Sequence, residues 1–237
     1  MNDKVNAIVL TTKPHRENDL LLTVLTENND KLTIILFNAN KTNSKRKSTS
    51  LPLTKVQYIL DYNITNKFYS PKNIDILKQN YNLYINNNLI LTLNLIIEII
   101  NKSNIDSSIY NILSNLIDNI NEDNYLICLV IFIKYMLQFE GIIPQVEHCT
   151  KCNSTKIINF SNKSGGFVCV NHNDTIKRIE QNRLLKIRAI IHADYNNINY
   201  FKEELSIDLE DIKIFIEFYE YHLNTKIKTN DFFLMNI

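Results

Sequence analysis

The hydrophobic pattern of the chain changes near residue 73, and this change limits the folds that the chain can adopt. Before that point, apolar residues form short runs rich in leucine or β-branched side chains, with polar breaks at residues 13–19 and 28–31. Such runs predict strands, and the second break suits a hairpin turn. The runs lie at residues 7–10, 20–25, 32–37, 56–60 and 66–69. We therefore predict a small antiparallel β-barrel or sandwich at the N-terminus.

After residue 73, apolar residues recur every three or four positions, which is the spacing of one helix face. Residues 125–139 are apolar nearly all round and predict the central helix of a helical domain. Near the C-terminus, Asp208 or Ser206 could cap a helix that carries Leu209 and Ile212 on one face. The predicted fold class is α+β multidomain, with a barrel at residues 1–78 and a helical domain at residues 79–237. No stretch approaches the ~20 apolar residues of a membrane span, so we expect a cytoplasmic protein.

A cysteine and histidine cluster interrupts the helical part at about residues 145–175. Cys149 and Cys152 form one pair, Cys169 and His172 form another, and 16 residues separate the pairs. Two such pairs on tight turns can surround one Zn²⁺ tetrahedrally, and the glycines at 165–166 would allow a hairpin between them. Four protein ligands leave no position for water, so we predict one structural zinc ion in a zinc knuckle.

Other interpretations of these residues remain open at this point. The CxxC pair could be a redox dithiol, although no βαβ context precedes it. His148 is a rival fourth ligand, although its side chain would have to replace its neighbour Cys149 or His172. The remaining cysteine, Cys128, lies between apolar residues of the predicted central helix and is interpreted as a small buried hydrophobe.

A basic segment stands out because the formal net charge of the whole chain is only +1. Residues 31–60 contain no Asp or Glu, and residues 40–50 predict a polar, mobile loop between two strands. Cations on such a loop suit contacts to nucleic-acid phosphates, and hydroxyls such as those of Ser48 and Thr49 could add hydrogen bonds. The alternative is a solvated surface loop. The predicted nucleic-acid-binding residues are Lys31, Lys41, Lys45, Arg46 and Lys47.

Aromatic residues in the barrel segment could stack on bases if their rings are exposed, but core positions are the commoner use. They are Phe37, Tyr58, Tyr62, Phe68 and Tyr69. The chain has three glycines and no G-x-G-x-x-G, G-x-x-x-x-G-K-[ST] or G-x-S-x-G motif, and its histidines show no pairing with a nucleophile. We therefore expect a protein without enzymatic activity.

The order of these features resembles the RecO family of bacterial recombination mediators. The similar residues are the strand at 7–10, Glu17-Asn18-Asp19-Leu20, Ser50-Leu51-Pro52-Leu53, Gly141-Ile142-Ile143-Pro144, the CxxC pair, Gly165-Gly166-Phe167-Val168-Cys169 and the segment 229–234. Two positions depart from the family pattern. Asp30 replaces the usual turn glycine, and His172 stands where the fourth ligand is usually Cys. The basic loop is also poor in Arg, which weakens bidentate phosphate contacts more than long-range attraction.

The resemblance implies an OB-fold at the N-terminus and a protein associated with the bacterial nucleoid. It also implies binding of single-stranded and double-stranded DNA and annealing of complementary strands. The implied partners are RecR and the C-terminal tail of single-stranded-DNA-binding protein, with which the family helps load RecA in gap repair.

Two other functions are compatible with the same residues. A zinc-ribbon adaptor would use the barrel to bind protein, and its binding would not depend on salt. An RNA-binding OB protein would prefer RNA through contacts to the 2′-hydroxyl.

Overall fold

The N-terminal part of the chain forms a closed five-stranded barrel. A computed structural model describes residues 4–28, 30–63, 68–103, 109–173, 175, 178–198, 201 and 205–236. The barrel strands are β1 (Lys4–His15), β2 (Asp19–Thr26), β3 (Lys31–Leu36), β4 (Lys55–Asn63) and β5 (Phe68–Lys78). They are hydrogen-bonded in the order β1-β2-β3-β5-β4, and β4 closes the barrel on β1. All pairs are antiparallel except β3 with β5, and this is the architecture of an OB-fold.

The barrel interior is filled by alternate residues of its strands. A strand directs successive side chains to opposite faces, so one apolar set points inward. The fully buried members of this set are Ala7, Val9, Leu22, Val24, Ile34, Leu36, Val56 and Tyr58. The predicted barrel and the first four predicted strands are therefore confirmed. Of the fifth predicted strand, residues 66–67 lie outside the described residues, and residues 68–69 begin β5.

Strand β5 corrects the predicted change of pattern at residue 73. Residues 73–78 continue the strand, and Ile74 and Ile76 lie opposite Tyr58 and Val56 of β4. The prediction that the helical part begins near Asn73 is wrong, because a short apolar run can satisfy either period. The alternation of Ile74 and Ile76 with polar residues was the signal for a strand.

Two helices belong to the same compact unit as the barrel, which comprises Met1–Asp118. They are α1 (Asn87–Lys102), whose N-terminus is capped by the Asn86 side chain, and α2 (Ile109–Asn119). The Asp118 carboxylate of α2 forms ion pairs with Lys55 Nζ at 2.6 Å and with Lys78 Nζ at 3.1 Å. Partial burial raises the pKa of Asp118, but the bonds from both lysines outweigh this effect and lower it. These bonds join α2 to the barrel. The domain boundary at 78/79 stays a prediction.

The second compact unit, Asn119–Ile237, is mainly helical. It contains α3 (Tyr125–Phe139), α4 (Gln181–His192), α5 (Leu209–Leu223) and α6 (Lys228–Asn236). Helix α3 is buried along most of its length and packs against α4 and α5, as predicted for a central helix. Cys128 is fully buried in α3, and burial raises its pKa to about 12, which confirms its interpretation as a small hydrophobe. Asp208 caps α5 in a reciprocal capping box with Asp211.

A two-stranded hairpin is inserted between α3 and α4. It consists of β6 (Ile157–Ser161) and β7 (Gly166–Cys169). Gly165 and Gly166 both have positive φ angles, +77° and +143°, and they form the end of the turn, as the sequence predicted. Among the described residues, every helix is too short or too polar to span a lipid bilayer.

We predict that replacing Gly166 by Ala disrupts the hairpin. A Cβ atom at this position would lie 2.1 Å from the backbone oxygen of Gln145, which also accepts a hydrogen bond from Phe167 N. The loss of stability should be about 3 kcal/mol or more, measured by urea unfolding. Gly141→Ala is the matched control, because its positive φ is also strained but its Cβ would have open space. Equal losses for both variants would contradict the prediction.

A second prediction concerns Lys134, which is 5% exposed in α3 and forms no ion pair among the described residues. Burial lowers its pKa to about 8, and Asp194 only partly opposes this effect. Between pH 8 and about 10.5 the unfolded chain holds a proton that the folded chain has lost, so wild-type stability rises with pH through this window. At pH 7 the full cost of the buried charge is present.

Lys134→Met should therefore stabilise the protein at pH 7 by roughly 1–3 kcal/mol, and the gain should shrink towards pH 10. Urea unfolding of the variant and the wild type at both pH values measures the difference. The control is Lys213→Met, on the exposed side of α5. A destabilised Lys134→Met at pH 7, or a gain that does not change with pH, would contradict the assignment.

Candidate functional site

The first pair of candidate metal ligands lies on a tight turn. Cys149 N donates to Ser154 O at 2.8 Å, and Asn153 N donates back to Cys149 O at 3.0 Å. Asn153 has a left-handed φ of 58°, a conformation that Asn tolerates better than most residues. The chain thus reverses directly after Cys152 and leaves both cysteine side chains on the same side of the turn.

The second pair is positioned by the hairpin. Cys169 is the last residue of β7, and His172 ends the short 3₁₀ turn Val170–His172 that follows it. Thr150 N donates to Phe167 O at 2.9 Å, which holds the first turn against β7. The hairpin therefore brings together two pairs that are 16 residues apart in the sequence.

The four predicted ligand atoms lie within 4.8 Å of one another. The sulfurs of Cys152 and Cys169 are 3.6 Å apart, and His172 Nδ1 is 3.5 Å from the Cys149 sulfur and 3.4 Å from the Cys169 sulfur. Bonds of about 2.3 Å to sulfur and about 2.0 Å to nitrogen in a tetrahedron separate two sulfurs by about 3.8 Å and sulfur from nitrogen by about 3.5 Å. The spacing of these atoms therefore fits one tetrahedral metal ion.

The rival ligand His148 is not part of this group. Its Nδ1 lies 3.3 Å from Cys149 O and its Nε2 lies 3.2 Å from Gln145 Nε2, so both ring nitrogens have other partners. A side-chain hydrogen bond also holds the end of the second pair in place. Asn173, the residue after His172, accepts at its Oδ1 from Asn159 Nδ2 of β6 at 2.8 Å. The sequence-predicted set of three cysteines and His172 is the one that the fold assembles.

The electrostatics of the cluster suit a bound cation. Burial opposes ionisation of Cys149, but backbone N–H groups of both turns and the His172 ring outweigh it and lower its pKa to about 6. The N–H of Ser154 lowers the pKa of Cys152, yet burial and the sulfurs of Cys169 and Cys149 raise it overall. Adjacent thiolates repel one another, and a divalent ion among them would remove this repulsion.

The predicted basic loop is not irregular throughout. Residues Lys45–Ser50 form a 3₁₀ turn in which the hydroxyls of Ser48, Thr49 and Ser50 donate to the carbonyls three residues earlier, at 3.1, 2.7 and 2.7 Å. This half of the segment therefore has a regular backbone, and its mobility stays a prediction. The hydroxyl protons of Ser48 and Thr49 are used within the turn, which also corrects their predicted role as donors to phosphate.

The turn is fixed to the barrel by several side chains. The Thr12 hydroxyl donates to Ser50 O, Gln79 Nε2 donates to Ser48 O at 2.6 Å, and the Tyr84 hydroxyl donates to Pro52 O at 2.5 Å. The carbonyls of the segment therefore face inward. Its cationic side chains, Lys41, Lys45, Arg46 and Lys47, are exposed, and none forms an ion pair with a residue that the structure describes.

Lys31 differs from the other four predicted cations. It is half-buried, its Nζ donates to Ile100 O near the C-terminus of α1 at 3.3 Å, and burial lowers its pKa. A cation at this end of a helix satisfies a free carbonyl and interacts favourably with the helix dipole. The structure therefore gives Lys31 a partner inside the protein.

Two cations that the sequence analysis did not select lie beside the basic segment. Asn40 N donates to Asn18 O at 2.9 Å, and this bond joins the segment to the turn between β1 and β2. Arg16 on that turn and Lys13 near the end of β1 are exposed and form no ion pair with a described residue. No local sequence pattern links residues 13–16 to residues 40–47. Lys13 and Arg16 could have been selected only from a prediction of how the strands of the barrel pair.

The aromatic residues of the barrel divide into two groups. Tyr58 is fully buried and belongs to the core, where burial strongly raises the pKa of its hydroxyl. Phe37 and Tyr62 are exposed, whereas Phe68 and Tyr69 are half-buried. The preference for core positions is thus correct for Tyr58 and wrong for Phe37 and Tyr62.

Comparison with known families covers both compact parts of the chain. Residues 1–80 match the model of the family described as "Recombination protein O N terminal". Residues 90–231 match "Recombination protein O C terminal".

Comparison with individual proteins agrees with these matches. The chain is 26% identical over 245 residues to a protein of Thermoanaerobacter sp. (strain X514) named DNA repair protein RecO, an alignment that covers 97% of this chain and 96% of the relative. It is 28% identical over 182 residues to a protein of the same name from Enterococcus faecalis, covering 71% of this chain and 66% of the relative. The barrel and the helical part, into which the metal-ligand cluster is inserted, are thus accompanied by sequence similarity over 97% of the chain, and the chain belongs to the recombination protein O family.

Proposed function

We propose that this protein binds single-stranded and double-stranded DNA and anneals complementary strands in DNA repair. The observation that carries the proposal is the set of four exposed cations, free of ion pairs with described residues, on a segment anchored to an OB-type barrel. Cations that have no carboxylate partner can replace the counterions of a phosphate backbone without first breaking an internal bond. Lys13 and Arg16 extend the same surface.

The distribution of charge supports this proposal. Residues 1–118 carry 13 Lys and Arg against 10 Asp and Glu, whereas residues 119–237 carry 13 against 15. A polyanion is therefore attracted to the barrel unit rather than to the whole protein. Long-range attraction of this kind raises association rates and does not depend on base sequence.

Annealing on this surface needs no catalytic residue. Cations that contact both backbones reduce the repulsion between two strands and keep them close enough to pair, and duplex formation supplies the free energy. Neither nucleotide hydrolysis nor a covalent step is required. We therefore propose a mediator and not an enzyme.

The family relationship supports a wider role for the annealing activity. We propose that the protein acts with RecR, contacts the C-terminal tail of single-stranded-DNA-binding protein, and helps load RecA on DNA coated by that protein. It would work on chromosomal DNA in the bacterial cytoplasm. The curated relatives carry the name DNA repair protein RecO, which agrees with this role.

We also propose that the cysteine and histidine cluster holds one structural zinc ion. Cys149 and Cys152 would supply two thiolates, and Cys169 and His172 would supply a third thiolate and an imidazole nitrogen. Zinc bound in this way cross-links two turns and leaves no open coordination position for a reaction. The Arg188 side chain donates to Val146 O at 2.8 Å, so the knuckle is also joined to helix α4.

Charge reversal in the basic segment tests DNA binding. The triple variant Lys45→Glu, Arg46→Glu and Lys47→Glu should bind a 30-nucleotide strand and the matching duplex about 100-fold or more weakly, because the contacts to phosphate become repulsive. Fluorescence anisotropy across a salt series measures affinity. Annealing of complementary strands coated with the cognate single-stranded-DNA-binding protein should also slow, and the wild-type acceleration should fade as salt rises.

The control carries the same change in net charge in the other compact unit, at exposed positions Lys156→Glu, Lys163→Glu and Lys213→Glu. Both triple variants should keep the wild-type melting temperature. Unchanged DNA affinity in the Lys45, Arg46 and Lys47 variant would refute the proposed function. Binding that is tight and insensitive to salt would favour a protein adaptor instead.

Removal of the metal should destabilise the second compact unit. Cys149→Ala with Cys152→Ala should abolish zinc in the purified protein and lower the melting temperature by about 10 °C or more, because metal binding contributes directly to folding. A chelator should lower the melting temperature of the wild type but not that of the variant.

His172→Cys is the matched variant for this experiment. It keeps four ligands and should retain one zinc ion and a stable fold, whereas His172→Ala should lose both. A variant with Cys149→Ala and Cys152→Ala that has wild-type stability and no metal would show that the ion is dispensable.

A further inference from the structure

The cysteine and histidine cluster contains one cysteine that solvent reaches directly. Cys152 is exposed, whereas Cys149 is fully buried and Cys169 is 3% exposed. The two residues that flank Cys152, Lys151 and Asn153, are exposed as well. A small reagent in solution therefore meets the side chain of Cys152 before it can meet either of the other two cysteine ligands.

The charge around Cys152 suits a reactive sulfur. Residues 148–173 contain three Lys and no Asp or Glu, and Lys151 and Lys156 are exposed on either side of Cys152 in the chain. Reactive cysteines in proteins are accessible and lie in electropositive surroundings, because the thiolate is the nucleophile. A bound zinc ion would keep the sulfur of Cys152 in this thiolate form.

A second sulfur lies beside that of Cys152. Cys169, at the end of β7, has its sulfur 3.6 Å from the Cys152 sulfur. A disulfide bond is about 2.05 Å long, so the two sulfurs need to approach each other by about 1.5 Å to form one. Cys169 is held in the hairpin by its pairing with Ile157, whereas Cys152 lies on an exposed turn that can supply this movement.

We propose that Cys152 and Cys169 form a reversible oxidation site at which a peroxide converts the two thiolates into a disulfide. This inference rests on the proposed zinc site and adds regulation to it. Only Cys149 and His172 remain as ligands after oxidation, and two ligands do not complete the four-coordinate set of a structural site. The second compact unit would thus lose its metal under oxidising conditions and recover it after reduction.

The proposed oxidation takes place in two steps. The Cys152 thiolate attacks one oxygen of the peroxide, the O–O bond breaks, the sulfur becomes a sulfenic acid and hydroxide leaves. The Cys169 thiolate then attacks the Cys152 sulfur, the S–S bond forms and a second hydroxide leaves. Two protons from solvent convert the two hydroxides into water. The two sulfurs together lose the two electrons that reduce the peroxide.

Oxidation of the zinc-loaded, full-length protein with hydrogen peroxide tests the site. One zinc ion should be released for each disulfide that forms, with the released zinc measured by the absorbance of 4-(2-pyridylazo)resorcinol. The melting temperature should fall as the metal leaves, because metal binding contributes directly to folding. Dithiothreitol and one equivalent of zinc should restore the melting temperature.

The sequence allows the disulfide to be identified directly. Trypsin cleaves after Lys151 and so separates Cys149 from Cys152, and each of the four cysteines lies on a different tryptic peptide. Mass spectrometry without reduction should find the peptide of residues 152–156 joined to that of residues 164–177. A disulfide between the peptides 135–151 and 152–156, or further oxidised cysteines without a disulfide, would overturn the proposal.

The variant Cys152→His removes the accessible sulfur and keeps a fourth side chain that can bind zinc. At the same peroxide concentration it should release zinc about 10-fold or more slowly than the wild type. Cys128→Ser is the matched control, because Cys128 is fully buried in α3 and its loss should leave the rate unchanged. Equal rates in the wild type and Cys152→His would refute the site. If Cys152→His does not bind zinc, the peptide map of the wild type decides the question.

Failure of this inference can be distinguished from failure of the proposed metal site. If the purified protein contains zinc, and peroxide neither releases it nor joins the two peptides, only the oxidation site is refuted. If the purified protein contains no zinc but peroxide still joins the peptides of Cys152 and Cys169, the zinc site fails and the oxidation site is supported.

Discussion

Closure of the barrel through the parallel pairing of β3 with β5 determines the position of the basic segment and its four exposed cations. The chain leaves β3 at Leu36 and starts β4 at Lys55, so β5 can occupy the place beside β3 only if residues 37–54 form a long connection. That connection passes β1, where Leu53 N donates to Val9 O at 2.7 Å. Lys41, Lys45, Arg46 and Lys47 lie on it. The feature that closes the barrel thus also provides the basic surface.

The metal-ligand knuckle depends on a different constraint, which is close contact between backbones. Gln145 exchanges hydrogen bonds with the hairpin, donating to Gly165 O at 3.0 Å and accepting from Phe167 N at 2.9 Å, and no side chain fits at Gly166 between these bonds. This contact places the strand before Cys169 next to the segment that leads to Cys149. A sheet of only two strands is marginally stable by itself. A metal ion that joins the two ligand-bearing turns would therefore supply the stability that a larger sheet gains from cross-strand packing.

The sequence was sufficient where the determining interactions are local. The spacing of Cys149, Cys152, Cys169 and His172 fixes two ligand pairs, and the glycines between them allow the pairs to meet. The 3₁₀ turn at Lys45–Ser50 is also stabilised locally, because three consecutive hydroxyls each donate a hydrogen bond to the carbonyl three residues earlier. It was missed because a polar run rich in Lys and Ser is usually irregular. Positions that depend on tertiary pairing could not be predicted in this way. Arg16 joins the basic surface through a bond between its turn and the distant basic segment, and the Lys31 side chain is bonded instead to helix α1.

The proposed surface uses contacts that persist while two strands pair. The phosphates of a single strand stay exposed after a duplex forms, so contacts between phosphates and cations remain throughout annealing. An annealing protein that held bases too firmly would compete with base pairing. Six exposed cations form no ion pair with described residues, and they are Lys13, Arg16, Lys41, Lys45, Arg46 and Lys47. The predominance of phosphate contacts would leave most bases free to find their complements.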